Sequence, residues 1–277
     1  FTDLDQFDEA KANYNKAISL NASYFKAYNN LGFLLAKIKD LDGAIESFKK
    51  AIEIKKDYLE AHHNLGKALR ELGRLEEAIG SYNKAINIKA DYSEVHNDLG
   101  IALKEIGRPI EAMASFNKAI EIKQDYYSAY NNLGVTLEQL GKFEVSEKIY
   151  RKAIFINPNF AEAYNNLGIA LKSLGQLSDA RENFIKAIEL KPDYGHAHYN
   201  LTHLTEFQTE DEHFTKMQNL YLDENLSERN LCFINFSLAK AYNDLQNYEH
   251  AFSHYLKGNE LRRKNLKYNF NDDLELF

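Results

Sequence analysis

The sequence predicts an all-α solenoid of two-helix repeats, and three observations carry that prediction. The dipeptide Leu-Gly returns every 34 residues, at Leu31-Gly32, Leu65-Gly66, Leu99-Gly100, Leu133-Gly134 and Leu167-Gly168. Around each copy the apolar residues follow the i, i+4, i+7 spacing of an amphipathic helix. Glycine then recurs at Gly73, Gly107, Gly141 and Gly175, where a helix end accepts a left-handed residue. A strict period of this length marks units that bury their apolar faces on one another.

Composition agrees and narrows the function. The chain has 277 residues, 44% of them hydrophobic and 27% charged, with only three prolines. These are the proportions of a folded, strongly helical protein. A net charge of −7 argues against a nucleic-acid partner, which needs a basic face. Cys232 is the only cysteine, so no intrachain disulfide can form; a reducing, cytoplasmic setting is expected. No run of 18 apolar residues suggests a membrane span, and no signal-peptide pattern opens the chain. The sequons at Asn21 and Asn225 read as coincidences of an Asn-rich chain.

The repeats run over 25–58, 59–92, 93–126, 127–160 and 161–194. Position 11 carries Leu35, Leu69, Leu103, Leu137 and Leu171, and position 20 carries Ala44, Ala78, Ala112, Ser146 and Ala180. An aromatic holds position 24 (Phe48, Tyr82, Phe116, Tyr150, Phe184), and alanine holds position 27. Small residues let the two helices of a unit approach, and the aromatic fills the space between them. The first full unit lacks the helix-ending glycine and has Lys39-Asp40 instead. Pro109 falls in the opening turn of a second helix, where its missing N–H costs nothing. Pro158 and Pro192 end second helices.

Residues 1–24 fit the last part of a further repeat. Phe1 and Leu4 match the end of a first helix, and Phe7, Ala10, Tyr14 and Ala17 match a second. An apolar helix without its partner there points to a fragment of a longer protein. Residues 195–228 form a degenerate repeat in which Thr202, Thr205 and Phe214 replace the expected Gly, Leu and Ala. A fresh helix is predicted from Thr209, with Glu212 completing a capping box, to about Tyr221. The pattern returns in a C-terminal unit over 229–265, with Leu238-Ala239, Tyr242, Ala251, Tyr255 and Gly258 at matching positions. Residues 266–277 read as a tail or linker.

This 34-residue, two-helix pattern resembles the tetratricopeptide repeat over nearly the whole chain. The resemblance implies a superhelix whose first helices line a concave groove. The stretch from Ser227 to Asn259 also looks like the segment preceding the catalytic domain in bacterial tetratricopeptide–sulfotransferase proteins. Such a domain would need a phosphate-cradling loop, and none occurs in the chain.

Positions 2, 5, 6, 9, 12 and 13 share one helical stripe. Position 6 reads Asn30, Asn64, Asp98, Asn132, Asn166 and Asn200, and position 5 includes Asn131 and Asn165. An amide both donates and accepts, so it can pair with the backbone of an extended peptide whatever its side chains. The column resembles the asparagine ladder of the O-linked N-acetylglucosamine transferase repeats. The same column can equally support the neighbouring repeat, and Asp98 interrupts it. Position 9 adds apolar steps at Phe33, Ile101, Val135 and Ile169. Lys67, Arg70, Lys104 and Lys172 lie among Glu60, Glu71, Glu94, Glu105, Glu138 and Glu162. A chaperone-type carboxylate clamp would use Lys26, Asn30 and Asn64 but then meets Glu94 and Asp98, which repel a carboxylate.

No catalytic or metal constellation stands out. His62 and His198 occupy the aromatic position 4, so packing explains them. His250 and His254 have i, i+4 spacing but lack a third ligand and are expected on an exposed face. Cys232 has no evident base and is expected to be buried. The fragment is therefore read as a non-enzymatic scaffold without cofactors that binds a protein or peptide segment. The peptide-binding set is Asn30, Asn64, Asp98, Asn132, Asn166, Asn200, Asn131, Asn165, Lys67 and Lys104. The alternatives are the substrate-recruiting arm of a larger transferase and a scaffold that self-associates end to end.

Overall fold

The computed structural model describes the backbone of residues 2–265 and the side chains of residues 7–264, and every regular element among them is an α-helix. Two compact units divide the chain at Leu140 and Gly141. Unit one holds α1 (Thr2–Leu20), α2 (Phe25–Lys37), α3 (Leu41–Ile54), α4 (Leu59–Glu71), α5 (Leu75–Ile88), α6 (Ser93–Glu105), α7 (Pro109–Ile122) and α8 (Tyr127–Gln139). Unit two holds α9 (Phe143–Ile156), α10 (Ala161–Ser173), α11 (Leu177–Leu190), α12 (Gly195–Thr202), α13 (Glu212–Tyr221), α14 (Glu228–Asp244) and α15 (Tyr248–Asn265).

Within a repeat the two helices meet where the sequence placed its smallest residues. A Cβ built on Gly66 would lie 2.5 Å from the Tyr82 ring, and one on Gly100 would lie 2.6 Å from Phe116. The alanines at positions 20 and 27 and the position-24 aromatics are fully buried. Four of the first helices end on a left-handed glycine. Gly73, Gly107, Gly141 and Gly175 have φ of 80°, 81°, 72° and 78°. The following N–H reaches back to the position-11 carbonyl, as in Arg74 N to Leu69 O at 2.9 Å and Arg108 N to Leu103 O at 2.8 Å. Lys39 and Gln246 make the same turn without glycine, at φ 66° and 60°. Their caps close through Asp40 N to Leu35 O and Asn247 N to Tyr242 O. Pro109 opens α7 as expected, and α9 and α11 end two residues before Pro158 and Pro192.

Three local expectations are corrected. Residues 2–20 form one continuous helix, with no turn between Leu4 and Phe7, while Phe1 lies outside the described residues. The helix expected from Thr209 begins at Glu212 instead. Its cap is Asp211, whose carboxylate accepts from Phe214 N at 2.8 Å, so the competing capping box is not used. Tyr255, expected to fill the last helix pair, is 40% exposed. Position 8 of that repeat is Ala239, and the glycine repeats show that a Cβ at position 8 would strike the position-24 ring.

The degenerate repeat is rebuilt around a different core. Its first helix, α12, has only 8 residues against 13 in α10. Phe207, Phe214, Met217, Leu226, Ile234, Leu238 and Tyr242 form one buried cluster that seats α13 on α14. Lys240 ties this region together by donating to Thr205 O and Asp244, and Asp244 also accepts from Phe207 N at 3.1 Å. The predicted tail, 266–277, lies outside the described residues.

Candidate functional site

The stripe of positions 5 and 6 is built from hydrogen bonds that cross repeat boundaries. In unit one, Asn64 Nδ2 donates to Asn29 Oδ1 at 3.1 Å, and Asn132 Nδ2 donates to Asn97 Oδ1 at 2.9 Å. Between these, His63 Nε2 lies 2.7 Å from Asp98 Oδ2. In unit two, Asn200 Nδ2 donates to Asn165 Oδ1 at 2.9 Å. Position 6 of one repeat is thus clasped to position 5 of the repeat before it. Such a clasp is worth about 0.5–1.5 kcal/mol net.

Burial separates the two columns. Asn29, His63, Asn97, Asn131 and Asn165 at position 5 are all buried. At position 6, Asn30 is exposed, and Asn64, Asp98, Asn132 and Asn166 are half-buried. Asn200 is the exception, buried in α12, where its neighbour Tyr199 packs against Phe233 with ring centroids 5.7 Å apart. An amide carries two N–H groups, and each clasp uses one of them.

Around the amides lie mixed charge and apolar steps. Phe33 is 49% exposed, with Lys37 Nζ 5.0 Å from its ring centre, and Ile101, Val135 and Ile169 are half-buried. Lys67 is exposed; Lys104 is half-buried, and desolvation lowers its ammonium pKa. Arg70 Nη1 donates to Glu105 Oε1 at 2.9 Å across a repeat boundary.

A column of aromatics at position 34 escaped the sequence reading. Lys55, Lys89, Lys123 and Lys191 place their ammonium groups 5.8, 5.8, 5.2 and 5.2 Å from the ring centres of Tyr58, Tyr92, Tyr126 and Tyr194. Each is a cation–π contact three residues long in sequence. Tyr92 also packs edge-on against His63 at 5.4 Å. Burial, and then the Asp98 and Glu94 charges, push the Tyr126 hydroxyl up to about 12. The signal was visible: Lys at position 31 recurs with an aromatic at position 34 in four of the five repeats.

The histidines have structural work. His62, His96 and His198 place Nε2 at 2.9, 2.8 and 2.9 Å from the carbonyls of Lys56, Ala90 and Pro192. A carbonyl only accepts, so Nε2 carries the hydrogen in each case. The imidazole thereby latches a first helix to the loop before it. His250 is exposed as expected. His254 departs from expectation: it is half-buried, stacks on Tyr242 at 5.5 Å, and bonds Asn235 Oδ1 through Nδ1 at 3.0 Å. Cys232 is buried, its Sγ 3.4 Å from Gly258 O, and burial raises its thiol pKa, so the reactive thiolate is disfavoured. Among the described residues no group of three or more His, Cys, Asp or Glu side chains is arranged to hold a metal. No helix among them is long and apolar enough to cross a membrane.

Family comparison follows this geometry. Models described as TPR repeat match residues 1–39, 37–70, 66–107, 110–141 and 139–175, and tetratricopeptide-repeat models match 161–194 and 234–265. The chain belongs to the tetratricopeptide-repeat family. Its solenoid resembles solved structures of that kind. The crystal structure of MamA is 29% identical, with a TM-score of 0.54, covering 58% of this chain and 95% of that one. YrrB, described as a TPR protein with an unusual peptide-binding site, is 23% identical at a TM-score of 0.54, covering 66% and 95%. PilF of Pseudomonas aeruginosa is 18% identical at 0.61, covering 90% and 99%. The last two share the fold alone. Comparison with curated protein sequences finds no match.

Proposed function

We propose that the first helices of this tetratricopeptide-repeat protein bind an extended polypeptide segment by its backbone. The observation that carries this reading is the exposure pattern of position 6. In unit one Asn30, Asn64, Asp98 and Asn132 reach the surface one repeat apart beside a buried position-5 column, and in unit two Asn166 does so beside buried Asn165. In this reading Asn131, Asn165 and Asn200 are the supporting layer, since they are buried. Lys67 and Lys104 meet carboxylates of the segment, and Phe33 and Ile101 take its apolar side chains. Each backbone contact contributes about 0.5–1.5 kcal/mol, so several in series are needed for useful affinity. YrrB, a protein of the same fold, is described as having a peptide-binding site; the present proposal rests on the amide column rather than on that likeness.

Selection from a random peptide library tests it. Selected peptides should lose about 2- to 10-fold in affinity with Asn64→Ala, as expected for one net hydrogen bond, and more with Phe33→Glu. Peptides indifferent to both substitutions would remove the groove from consideration.

A second reading, self-association, is favoured by α15, which exposes Tyr248 at 64%, Phe252 at 70% and Leu256 at 63% along one face. Sedimentation of the chain and of Phe252→Glu decides it: a concentration-dependent assembly abolished by the substitution supports the reading. The transferase-arm reading rests on the resemblance of the Ser227–Asn259 stretch, and the gene sequence beyond Phe277 tests it directly.

A further inference from the structure

We infer that the cleft between α11 and α13 is a binding site for a small organic cation with an apolar body. The cleft exists because the degenerate repeat fails to close. In a regular repeat the second helix packs on its own first helix, whereas α13 is drawn onto α14 by Phe214 and Met217. The gap left behind encloses about 740 Å³, within the range of small-molecule sites. Its body is apolar, with Ile185, Ile188, Leu201 and Leu220 on the walls. Ile185 remains 39% exposed there.

The floor is a neutral histidine pair with a defined hydrogen arrangement. His198 Nε2 lies 2.9 Å from Pro192 O, so it carries the hydrogen. The His198 Nδ1 is then bare and accepts from His213 Nε2 at 3.1 Å. That makes His213 Nδ1, on a ring lining the cleft, a hydrogen-bond acceptor. Burial holds the His213 imidazole at about 4, so the floor stays uncharged at neutral pH.

The rim carries an excess of negative charge. Arg181 and Lys216 face Glu189, Asp211, Glu212 and Asp223. Lys216 is paired with Glu212 at 2.7 Å and Lys186 with Glu189 at 3.0 Å, and Arg181 is turned to Leu204 O and Thr205 Oγ1 at 3.0 and 2.9 Å. Asp211 accepts from Phe214 N, and Asp223 accepts from Asn225 N and Asn225 Nδ2, so the donors they meet are neutral. An apolar cleft with an imidazole acceptor and two carboxylates bonded to neutral donors suits an ammonium on an aryl or alkyl body. It disfavours the matching carboxylate.

The test compares phenethylamine with phenylacetate by NMR titration of the His198 and His213 ring protons in the wild-type chain. The expected result is saturable shifts at both histidines with the amine, and binding of the acid at least tenfold weaker. Ile185→Trp fills the cleft from an exposed position and should weaken the amine at least tenfold with helical content unchanged. Absence of saturable shifts with the amine, or equal binding of amine and acid, overturns the inference without requiring any variant. Undiminished amine binding by folded Ile185→Trp overturns it equally.

Discussion

His63 and Asp98 stand 2.7 Å apart, Nε2 to Oδ2, in the register where the neighbouring repeats pair one asparagine with another. The pair keeps the inter-repeat clasp while exchanging two amides for an imidazole and a carboxylate. Asp98 also accepts from Asn97 Nδ2 at 3.4 Å, so it touches the next clasp as well. Asp98→Ala strands the buried His63 ring and should cost about 1–3 kcal/mol. The double change His63→Asn with Asp98→Asn rebuilds the amide clasp and should recover most of that loss. Denaturant melts of the single and double variants read the coupling, and additive losses would show that the two side chains act independently.

Tyr82 has the opposite problem. Its ring is fully buried, yet its hydroxyl meets only the nearby Arg70 guanidinium, and neither the hydroxyl nor Arg70 Nε makes a hydrogen bond of good geometry. Position 24 is phenylalanine at Phe48, Phe116 and Phe184. A buried polar atom without a partner costs about 1–3 kcal/mol. Tyr82→Phe should therefore leave stability unchanged or raise it by about 1 kcal/mol. A drop of the same size in the unfolding free energy would mean that the hydroxyl is satisfied in solution.

The Leu-Gly beat makes a steric prediction. An ideal Cβ on Gly100 would sit 2.6 Å from the Phe116 ring, inside contact distance for a rigid, fully buried neighbour. Gly100→Ala should cost about 1–3 kcal/mol, as overpacking does. Phe116→Leu in that background removes the ring edge and should return part of the loss. Ala239 and the 40% exposed Tyr255 show the alternative outcome, in which the ring leaves the pair.

Legibility followed the physics of contact distance. Gly66, Gly100 and the position-20 and position-27 alanines were readable because close helix packing admits nothing larger. Gly73 and its counterparts were readable because a left-handed cap favours glycine. Lys39 and Gln246 were not, since there the carbonyls of Leu35 and Tyr242 impose the turn on residues with no preference for it. Spacing puts the amides of positions 5 and 6 on one helical stripe, but the two adjacent positions differ by only about a quarter turn. Which of the two is buried depends on the neighbouring helix, so Asn131 and Asn165 could not be separated from Asn132 and Asn166. The path of α13 was hidden for a similar reason. Thr209 and Glu212 form a plausible capping box, and only the tertiary pull of Phe214 and Met217 selects Asp211 as the cap. The tyrosine column at position 34 is written in the sequence itself, as a lysine three residues before each tyrosine.

Acid should act on unit two through its buried histidines, the His198–His213 pair alongside His196 and His254, which burial also lowers. Burial first, and then the neighbouring His198, holds His213 at about 4, and burial likewise lowers His198. Both imidazoles gain a proton more readily in the unfolded chain, where the ordinary value is about 6.5. The unfolded state therefore binds more protons once the pH drops below about 6.5, and stability falls with it. The contribution is complete above that value and is progressively lost down to about pH 4. His213→Phe keeps an apolar ring against Phe207, which lies 6.1 Å away, but removes the titrating group and the bond to His198. The variant should be less stable than the parent at pH 7.5 by about 1 kcal/mol, the usual worth of one hydrogen bond. Between pH 6.5 and 4.5 it should lose less stability than the parent, so the two curves converge. Denaturant melts across that range check this, and parallel curves would show that His213 titrates normally in the folded chain.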